Sequence, residues 1–523
     1  MNKLIKITEG RIRPLLLCFL AGALGAIPYY AESLWIFTLV SLLIQYPLAI
    51  GFKKRNKYFS PFFWYYLGLY IPLYSFLSEL YPFERFGFTA SQAVFVTVCA
   101  CVCIPLLHAS VLGLVMKLSC FLPYGAVGAL GYASLAVICE FVLTLGGLAF
   151  PWGTTAVSMT GFLPYVQTAS LFGQYFITFI TAFFCASVAY CVFGGKRILA
   201  YISAGIILFN TAVGTAIYFL PVSEEKTVTA GLIQGNASSE DKWQSSSLSS
   251  ITAKYLTLTE DAAQQGAELI ILPESAIPSK FIEGGSVHMA LADIAAEYNA
   301  TVLLGAVIPC EGGGYNSVIG ILPDGTLTER YDKRHLVPFG EYIPFADFLG
   351  KFLPFVAELN EDGTQYVEGV DPIVIKTESG SVGPLVCFDS LFSSFARDAR
   401  NNGAEILAIV TNDSWFYDSQ GVYTHLRHAQ LRAIETGTIV MRAANTGISA
   451  FVDCKGRIIE SAPPLTTDVL VETVSVSGQN TLFNIFGNTA VYASFAILAL
   501  IIILYFVRRR PNGKNTASQQ GDI

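Results

Sequence analysis

The first 220 residues contain seven apolar stretches, each close to the length of a membrane crossing, and an eighth closes the sequence near its end. Nothing constrains the fold more. A helix needs roughly 20 apolar residues to cross the hydrocarbon core. Backbone inside lipid must satisfy its own hydrogen bonds, so such stretches can fold only as helices. The expected spans are about 13–29, 32–51, 60–82, 91–116, 124–148, 164–193, 198–220 and 487–507. Residues 221–486, between the last two, alternate like an ordinary polar domain. The overall values, 53% hydrophobic, 14% charged and mean hydropathy +0.52, average two unlike halves. The organisation expected is a seven-span domain over 1–220, a polar domain over 221–486, an eighth helix over 487–507 and a polar tail over 508–523.

Lys and Arg in the short loops set the orientation. Lys3, Lys6, Arg11 and Arg13 precede the first span; Lys53, Lys54, Arg55 and Lys57 separate the second and third. Lys117, Lys196–Arg197 and Arg508–Arg510 follow the fourth, sixth and eighth. Alternate loops hold Arg85 and little else. All the cationic loops therefore fall on one side, the cytoplasm, with both termini there and 221–486 on the opposite face. Met1–Thr8 is too polar, and the chain beyond Arg13 too repetitively apolar, for a cleaved signal peptide. A net charge of −7 without a polybasic stripe argues against nucleic acid, and neither zinc spacing nor a P-loop is present, so no metal or cofactor is expected. Of the 11 cysteines, only Cys310, Cys387 and Cys454 fall in the polar domain, which leaves room for one disulfide but no framework.

Periodicity in the polar domain predicts strands at Lys226–Gln234, Leu269–Leu272, Thr301–Val307, Ser317–Leu322, Val382–Val386, Ile406–Thr411, Thr438–Ala443 and Ile448–Val452. Helices are predicted at Asp241–Gly266, Val287–Tyr298, Leu391–Asn401 and Val422–Thr436, and a tight turn at Asp324-Gly325. Strands alternating with helices, then hairpins, imply an α/β layered sandwich, with functional groups at strand ends.

Three such ends carry reactive side chains: Glu274 after Leu272-Pro273, Lys333 in Asp332-Lys333-Arg334, and Cys387 after the Val382–Val386 strand. Singly, each has an ordinary structural explanation. Together they supply a base, a fixed cation and a nucleophile. A carboxylate can take the thiol proton and later that of an incoming nucleophile. A charged lysine can stabilise a tetrahedral oxyanion. A thioester is reactive enough to pass its acyl group to an amine. Cys387 is followed at once by Phe388-Asp389 and a predicted helix, whose N-terminal dipole is expected to lower its pKa. The histidines form no Cys–His or HExxH pattern, and no G-x-S-x-G elbow competes.

These residues resemble the Glu-Lys-Cys triad of the nitrilase superfamily, an αββα sandwich. Longer runs narrow the resemblance: Gln234-Gly235-Asn236 with Lys242-Trp243, the Asp332–Pro344 run, Thr411–Phe416, Arg432–Glu435, Asn445-Thr446-Gly447 and, in the apolar half, Phe150-Pro151-Trp152-Gly153 and Gln167–Gly173. They are similar to the apolipoprotein N-acyltransferase family over nearly the whole chain. The resemblance implies an enzyme of the bacterial cytoplasmic (inner) membrane whose domain 221–486 faces outward. In this scheme Cys387 takes a fatty acyl group from a membrane phospholipid and gives it to the N-terminal amine of a diacylglyceryl-modified apolipoprotein. It casts Glu274 as base, Lys333 as oxyanion cation and Glu341 as a second supporting glutamate. Trp243 matches an aromatic on a mobile arm.

Phe339, Tyr342 and Trp415 lie in aromatic segments, 339–356 and 415–423, that are expected to rim a mouth facing the bilayer. Phe388-Asp389 replaces the family's usual Tyr-Glu after the nucleophile, which puts substrate range in question and makes both residues candidate supports. Glu140, inside the fifth span, matches a family glutamate, but the usual arginine a turn later is missing. It is expected to be protonated or bonded to another span. The competing reading is a membrane-tethered nitrilase-type amidase, which would use the same triad and give the acyl group to water. A transporter or scaffold would show repeats or paired intramembrane charges, and the sequence has neither.

Overall fold

The computed structural model describes residues 12–53, 56–81, 89–222, 226–238, 242, 246–346, 351, 365–476 and 479–509. Its apolar half contains α1 (Arg13–Tyr30), α2 (Ile36–Lys53), α3 (Ser60–Leu73), α4 (Ala90–Met116), α5 (Ala126–Val142), α6 (Gln174–Val192) and α7 (Arg197–Phe219). The polar domain contributes α8 (Leu248–Gln264), α9 (Ser286–Tyr298), α10 (Ser393–Asn401) and α11 (Gln420–Thr436), and α12 (Thr489–Arg509) returns to the bundle.

Among the described residues, six helical stretches are long and apolar enough to cross a membrane, where eight spans are expected from sequence. The other two, 60–82 and 124–148, appear as the 14-residue α3 and the 17-residue α5. At 1.5 Å per residue these helices alone rise about 21 and 26 Å, less than the roughly 30 Å of hydrocarbon. The apolar composition of both stretches continues past the helix. In the first it enters a 3-10 turn, Ser75–Leu80, that packs against the polar domain. In the second it enters the glycine-bearing loop Thr144–Gly147. Helices α1 and α3 pack backbone to backbone. A Cβ on Gly22 would sit 1.8 Å from the Tyr65 carbonyl oxygen and one on Gly68 2.0 Å from that of Phe19, so only glycine fits at either position. Glu140 in α5 accepts from the Thr155 amide at 2.8 Å, the Thr155 hydroxyl at 2.6 Å and the Thr178 hydroxyl of α6 at 2.6 Å. It is thus tied to another helix.

The polar domain is an αββα sandwich. Its strands are β1 (Thr227–Gln234), β2 (Leu269–Ile271), β3 (Thr301–Cys310), β4 (Gly313–Ile321), β5 (Tyr331–Asp332), β6 (Ile375–Thr377), β7 (Gly380–Val386), β8 (Ile406–Thr411), β9 (Ile439–Ala444), β10 (Ala450–Val452), β11 (Ile458–Ser461) and β12 (Asp468–Ser475). One sheet runs β12-β1-β2-β3-β4-β5 and the other β11-β10-β9-β8-β7-β6. Pairing is parallel through β1-β2-β3 and through β7-β8-β9. Leu232, Leu303, Val386, Val410 and Met441 close the core between the sheets. Helices α8 and α9 cover one outer face, α10 and α11 the other.

The sandwich sits on the helical bundle through α11, 16 of whose 17 residues are buried. Gln420 donates to the Leu73 carbonyl at 2.6 Å, Arg427 to that of Pro28 at 2.7 Å, and Glu435 accepts from the Gln174 amide at 2.8 Å. His428 Nε2 lies 2.9 Å from the Trp152 carbonyl oxygen. Apolar side chains of the sandwich, including Phe388, Leu391 and Leu431, join the bundle's core directly.

Candidate active site

The parallel strands of both sheets end at the same edge, and three of those ends converge with the end of β5. Chain leaving β2 delivers Glu274, β5 delivers Lys333, β7 delivers Cys387 and β8 delivers the Asn412 amide. Gly305 on the neighbouring β3 permits the first of these: a Cβ there would lie 2.3 Å from the Pro273 carbonyl oxygen and 2.8 Å from the Glu274 Cα. Cys387 and Ser275, which follows Glu274, have φ of 49° and 45°, the left-handed region that non-glycine residues rarely occupy. Such strain in two catalytic-type turns persists only where surrounding contacts hold it.

Glu274 Oε1 accepts from Asn316 Nδ2 at 2.7 Å and pairs with Lys333 Nζ at 3.3 Å, while Oε2 accepts from the Asn412 amide at 2.8 Å. Lys333 Nζ also meets Glu341 Oε1 at 2.8 Å. Glu341 itself is held by Asn316 Nδ2 at 2.9 Å and by the Val337 amide at 2.8 Å. Burial alone would push the Lys333 ammonium down, but the Glu274 and Glu341 carboxylates more than reverse it and hold it well above the ordinary lysine value. Lys333 is therefore a permanent cation.

The Cys387 thiol contradicts the expectation from its helix. It opens a 3-10 turn of only five residues, Cys387–Leu391. Burial and then the Glu274 carboxylate push its pKa well above the ordinary thiol value, against the opposing pull of Lys333. A half-buried thiol with its pKa so raised stays protonated near neutral pH, so it needs a base at the moment of attack. Glu274 lines the same cavity and has the chemistry to serve as one.

Asp389 accounts for the shortened carboxylate. Completely buried, it accepts from the Tyr331 hydroxyl at 2.8 Å, the His335 amide at 2.9 Å and the Arg334 and Val386 amides at 3.3 Å each. It thus ties the nucleophile turn to the backbone just beyond Lys333. Burial lifts its pKa to about 6 against those donors and Lys333. Phe388 is packed among Phe150, His335 and Phe392, with centroids 5.4–5.8 Å away.

The nucleophile's carbonyl has its own support. Ser390 Oγ donates to it at 2.7 Å, and His425 Nε2 lies 3.2 Å from it and 2.9 Å from Ser390 Oγ. His425 Nδ1 meets Asp413 at 2.9 Å. Arg442 and His425 overcome burial to hold Asp413 well below the usual carboxylate range. Ser390, His425 and Asp413 have the connectivity of a hydrolase triad, but Ser390 is fully buried and is no nucleophile.

A cavity of about 480 Å³ joins these groups to the apolar half. Glu274, Lys333, Glu341 and Cys387 lie on one side of it, and Phe339 and Trp415 line it. A face of α4, including Phe95, Cys99, Cys103 and Leu107, also lines it, with Leu77 and Phe150. Tyr342 turns away from this space: its hydroxyl donates to the Gly147 carbonyl, tying the Asp332–Pro344 run to the end of α5. Trp243 and residues 347–350 and 352–364 lie outside the described residues. Cys310, Cys387 and Cys454 are all free thiols, so the outer disulfide left open by the sequence is not formed.

Asn316, Asn412, Tyr331 and His425 carry contacts that sequence reading does not assign. An asparagine or tyrosine inside a strand has no spacing that marks it. His425 is the sixth residue of α11, five after Gln420, and only the fold shows which helix face meets Cys387.

Residues 21–187 match the family model described as apolipoprotein N-acyltransferase N-terminal domain, and residues 229–480 that described as carbon-nitrogen hydrolase. The chain is 29% identical over 524 residues to the apolipoprotein N-acyltransferase of Haemophilus influenzae, covering 95% of this chain and 96% of that one. It is 30% identical over 372 residues to that of Geobacter metallireducens (69% and 71% of the two chains) and 33% identical over 354 residues to that of Vibrio cholerae (66% and 68%).

Proposed function

The chain belongs to the apolipoprotein N-acyltransferase family, and on that premise we propose that it moves a fatty acyl group from a membrane phospholipid, through a thioester on Cys387, to the N-terminal amine of a diacylglyceryl-modified lipoprotein. Glu274 takes the proton from Cys387 Sγ as sulfur attacks the ester carbonyl carbon. Lys333 Nζ stabilises the oxyanion. The intermediate collapses by breaking the C–O ester bond, and Glu274 returns the proton to the departing lysophospholipid oxygen. In the second half-reaction Glu274 takes a proton from the lipoprotein amine as nitrogen attacks the thioester carbon. The C–S bond breaks, and sulfur recovers the proton. Glu341 and Asn316 hold Lys333 and Glu274 in register. Asp389 and Phe388 support the nucleophile turn, and Phe339 and Trp415 contact substrate.

The observation that carries this reading is one cavity lined both by the triad and by an apolar face of a helix long enough to span a membrane. A hydrolase of soluble amides has no use for such a wall. The domain 221–486 is placed on the outer face of the bacterial cytoplasmic membrane, with both termini inside, a reading supported by the Lys and Arg of the loops if α3 and α5 also cross together with the apolar chain that continues them.

The test is to incubate the purified full chain with labelled phospholipid and no lipoprotein. A hydroxylamine-sensitive label should accumulate on Cys387 and then move to an added diacylglyceryl peptide. An adduct that persists in Cys387→Ala, transfer without any adduct, or release of free fatty acid in place of N-acylated peptide would overturn the proposal.

A further inference from the structure

The cavity wall formed by α4 is apolar except at one point. His108 is 3% exposed, and its ring lies edge-on to Tyr70 and Tyr74, with centroids 5.2 and 5.4 Å away. The Tyr74 hydroxyl is 2.8 Å from His108 Nδ1. Tyr74 is itself fully buried, and its hydroxyl makes no other hydrogen bond among the described residues. If Nδ1 carried the hydrogen, the tyrosine proton would be stranded in an apolar interior, which costs about 1–3 kcal/mol. The satisfied arrangement has Tyr74 O–H donating to Nδ1, which leaves the hydrogen on Nε2. Nε2 has no hydrogen-bond partner among the described residues, and His108 lines the cavity. The dyad therefore offers one preoriented N–H donor to the lipid-facing space.

Its position relative to the nucleophile identifies what it meets. Phe150 lies 6.4 Å from the His108 ring and 5.4 Å from the Phe388 ring, so a single aromatic separates His108 from the residue after Cys387. A glycerolipid whose one ester sits at Cys387 carries its second ester a few bonds away. A neutral donor in an apolar wall suits a neutral acceptor, because a charged phosphate would lose its hydration there for one bond.

We propose that the Tyr74–His108 dyad recognises the carbonyl of the ester that is not attacked, so that the enzyme selects diacyl over ether-containing donors. This rests on the acyl-transfer reading above. Both the phospholipid and the diacylglyceryl acceptor carry such an ester, and the donor half-reaction isolates the first.

The experiment measures the rate of Cys387 acylation by a 1,2-diacyl phospholipid and by the matching 1-acyl-2-O-alkyl phospholipid, which keeps the chain and loses the carbonyl. Wild-type protein should favour the diacyl lipid by about tenfold in apparent KM, the size of one such hydrogen bond. His108→Leu should lose that preference with the maximal acylation rate unchanged. His108→Gln, which retains an N–H donor, should keep part of it, and Tyr74→Phe should weaken it. Equal use of the two lipids by the wild type overturns the proposal, as does an undiminished preference in His108→Leu. No acyl-enzyme from either lipid in the wild type would instead sink the acyl-transfer reading itself.

Discussion

Replacing Asp389 with alanine should slow acylation about a hundredfold while leaving the fold largely intact, and the structure sets both magnitudes. The substitution leaves two closely bound donors, the Tyr331 hydroxyl and the His335 amide, without an acceptor. Each buried orphan costs about 1–3 kcal/mol, so the gross loss is about 2–6 kcal/mol. Against it stands the removal of a buried carboxyl whose pKa has climbed from 3.8 to about 6. At about 1.4 kcal/mol per unit, ionising that group inside the protein costs about 3 kcal/mol, which the alanine variant no longer bears. Stability should therefore fall by no more than about 3 kcal/mol.

Activity has no such offset. Asp389 holds the Arg334 and His335 amides against the nucleophile turn, and a displacement of about 1 Å between Cys387 and Lys333 costs about a hundredfold. Asp389→Glu restores the acceptor and should be tolerated. The sign with pH follows. Between about 4 and about 6 the folded protein keeps a proton that the unfolded chain has released. Stability from this group is thus greatest below 4, declines as pH rises through 6 and is level above. Acylation runs the other way and should fall as pH drops through about 6, when the carboxyl no longer accepts from every donor. The assays are thermal unfolding in detergent and the rate of Cys387 labelling by phospholipid. Wild-type labelling by a folded Asp389→Ala protein would refute the reasoning.

Three further outcomes are expected. Glu274→Gln must turn an amide NH2 toward the Asn412 amide or toward Asn316 and Lys333, which are all donors, so labelling of Cys387 should be lost. Lys333→Ala should slow it at least a hundredfold, about 2.7 kcal/mol. Comparable labelling in either protein would remove that residue from the mechanism. A reporter active only in the cytoplasm should work when fused after Arg510 and be silent when inserted near Gly380, and the reverse pattern would invert the proposed sidedness.

The sandwich was legible wherever one physical signal dominated. Apolar runs bounded by polar turns mark β7 and β8 to within two residues, and β2 to within one. The β3–β4 hairpin runs longer than periodicity suggests, to Cys310 and from Gly313, because cross-strand pairing extends past the apolar stretch. Hydropathy reads 60–82 and 124–148 as single stretches, whereas the structure divides each into a shorter helix and an apolar turn or loop, because apolar composition alone does not mark where a helix stops. In the site, Glu274, Lys333 and Cys387 were visible as polar residues at strand ends. Asn316 and Tyr331 were not, because their neighbours come from strands and turns distant in sequence. The Cys387 pKa was misjudged for a related reason: dipole arguments are local, whereas the burial that outweighs the dipole comes from the whole fold.

Helix α11 has a consequence for how the molecule comes into being. It appears late in the chain, and its polar side chains reach backbone groups made much earlier, near the ends of helices at Pro28, Leu73 and Gln174 and in a loop at Trp152. The same helix supplies His425, beneath the nucleophile. During synthesis the docking platform is therefore in the bilayer before the domain that needs it exists. A gene fragment encoding only the sandwich would leave those donors and acceptors facing nothing, and would yield an aggregation-prone domain in place of a soluble enzyme.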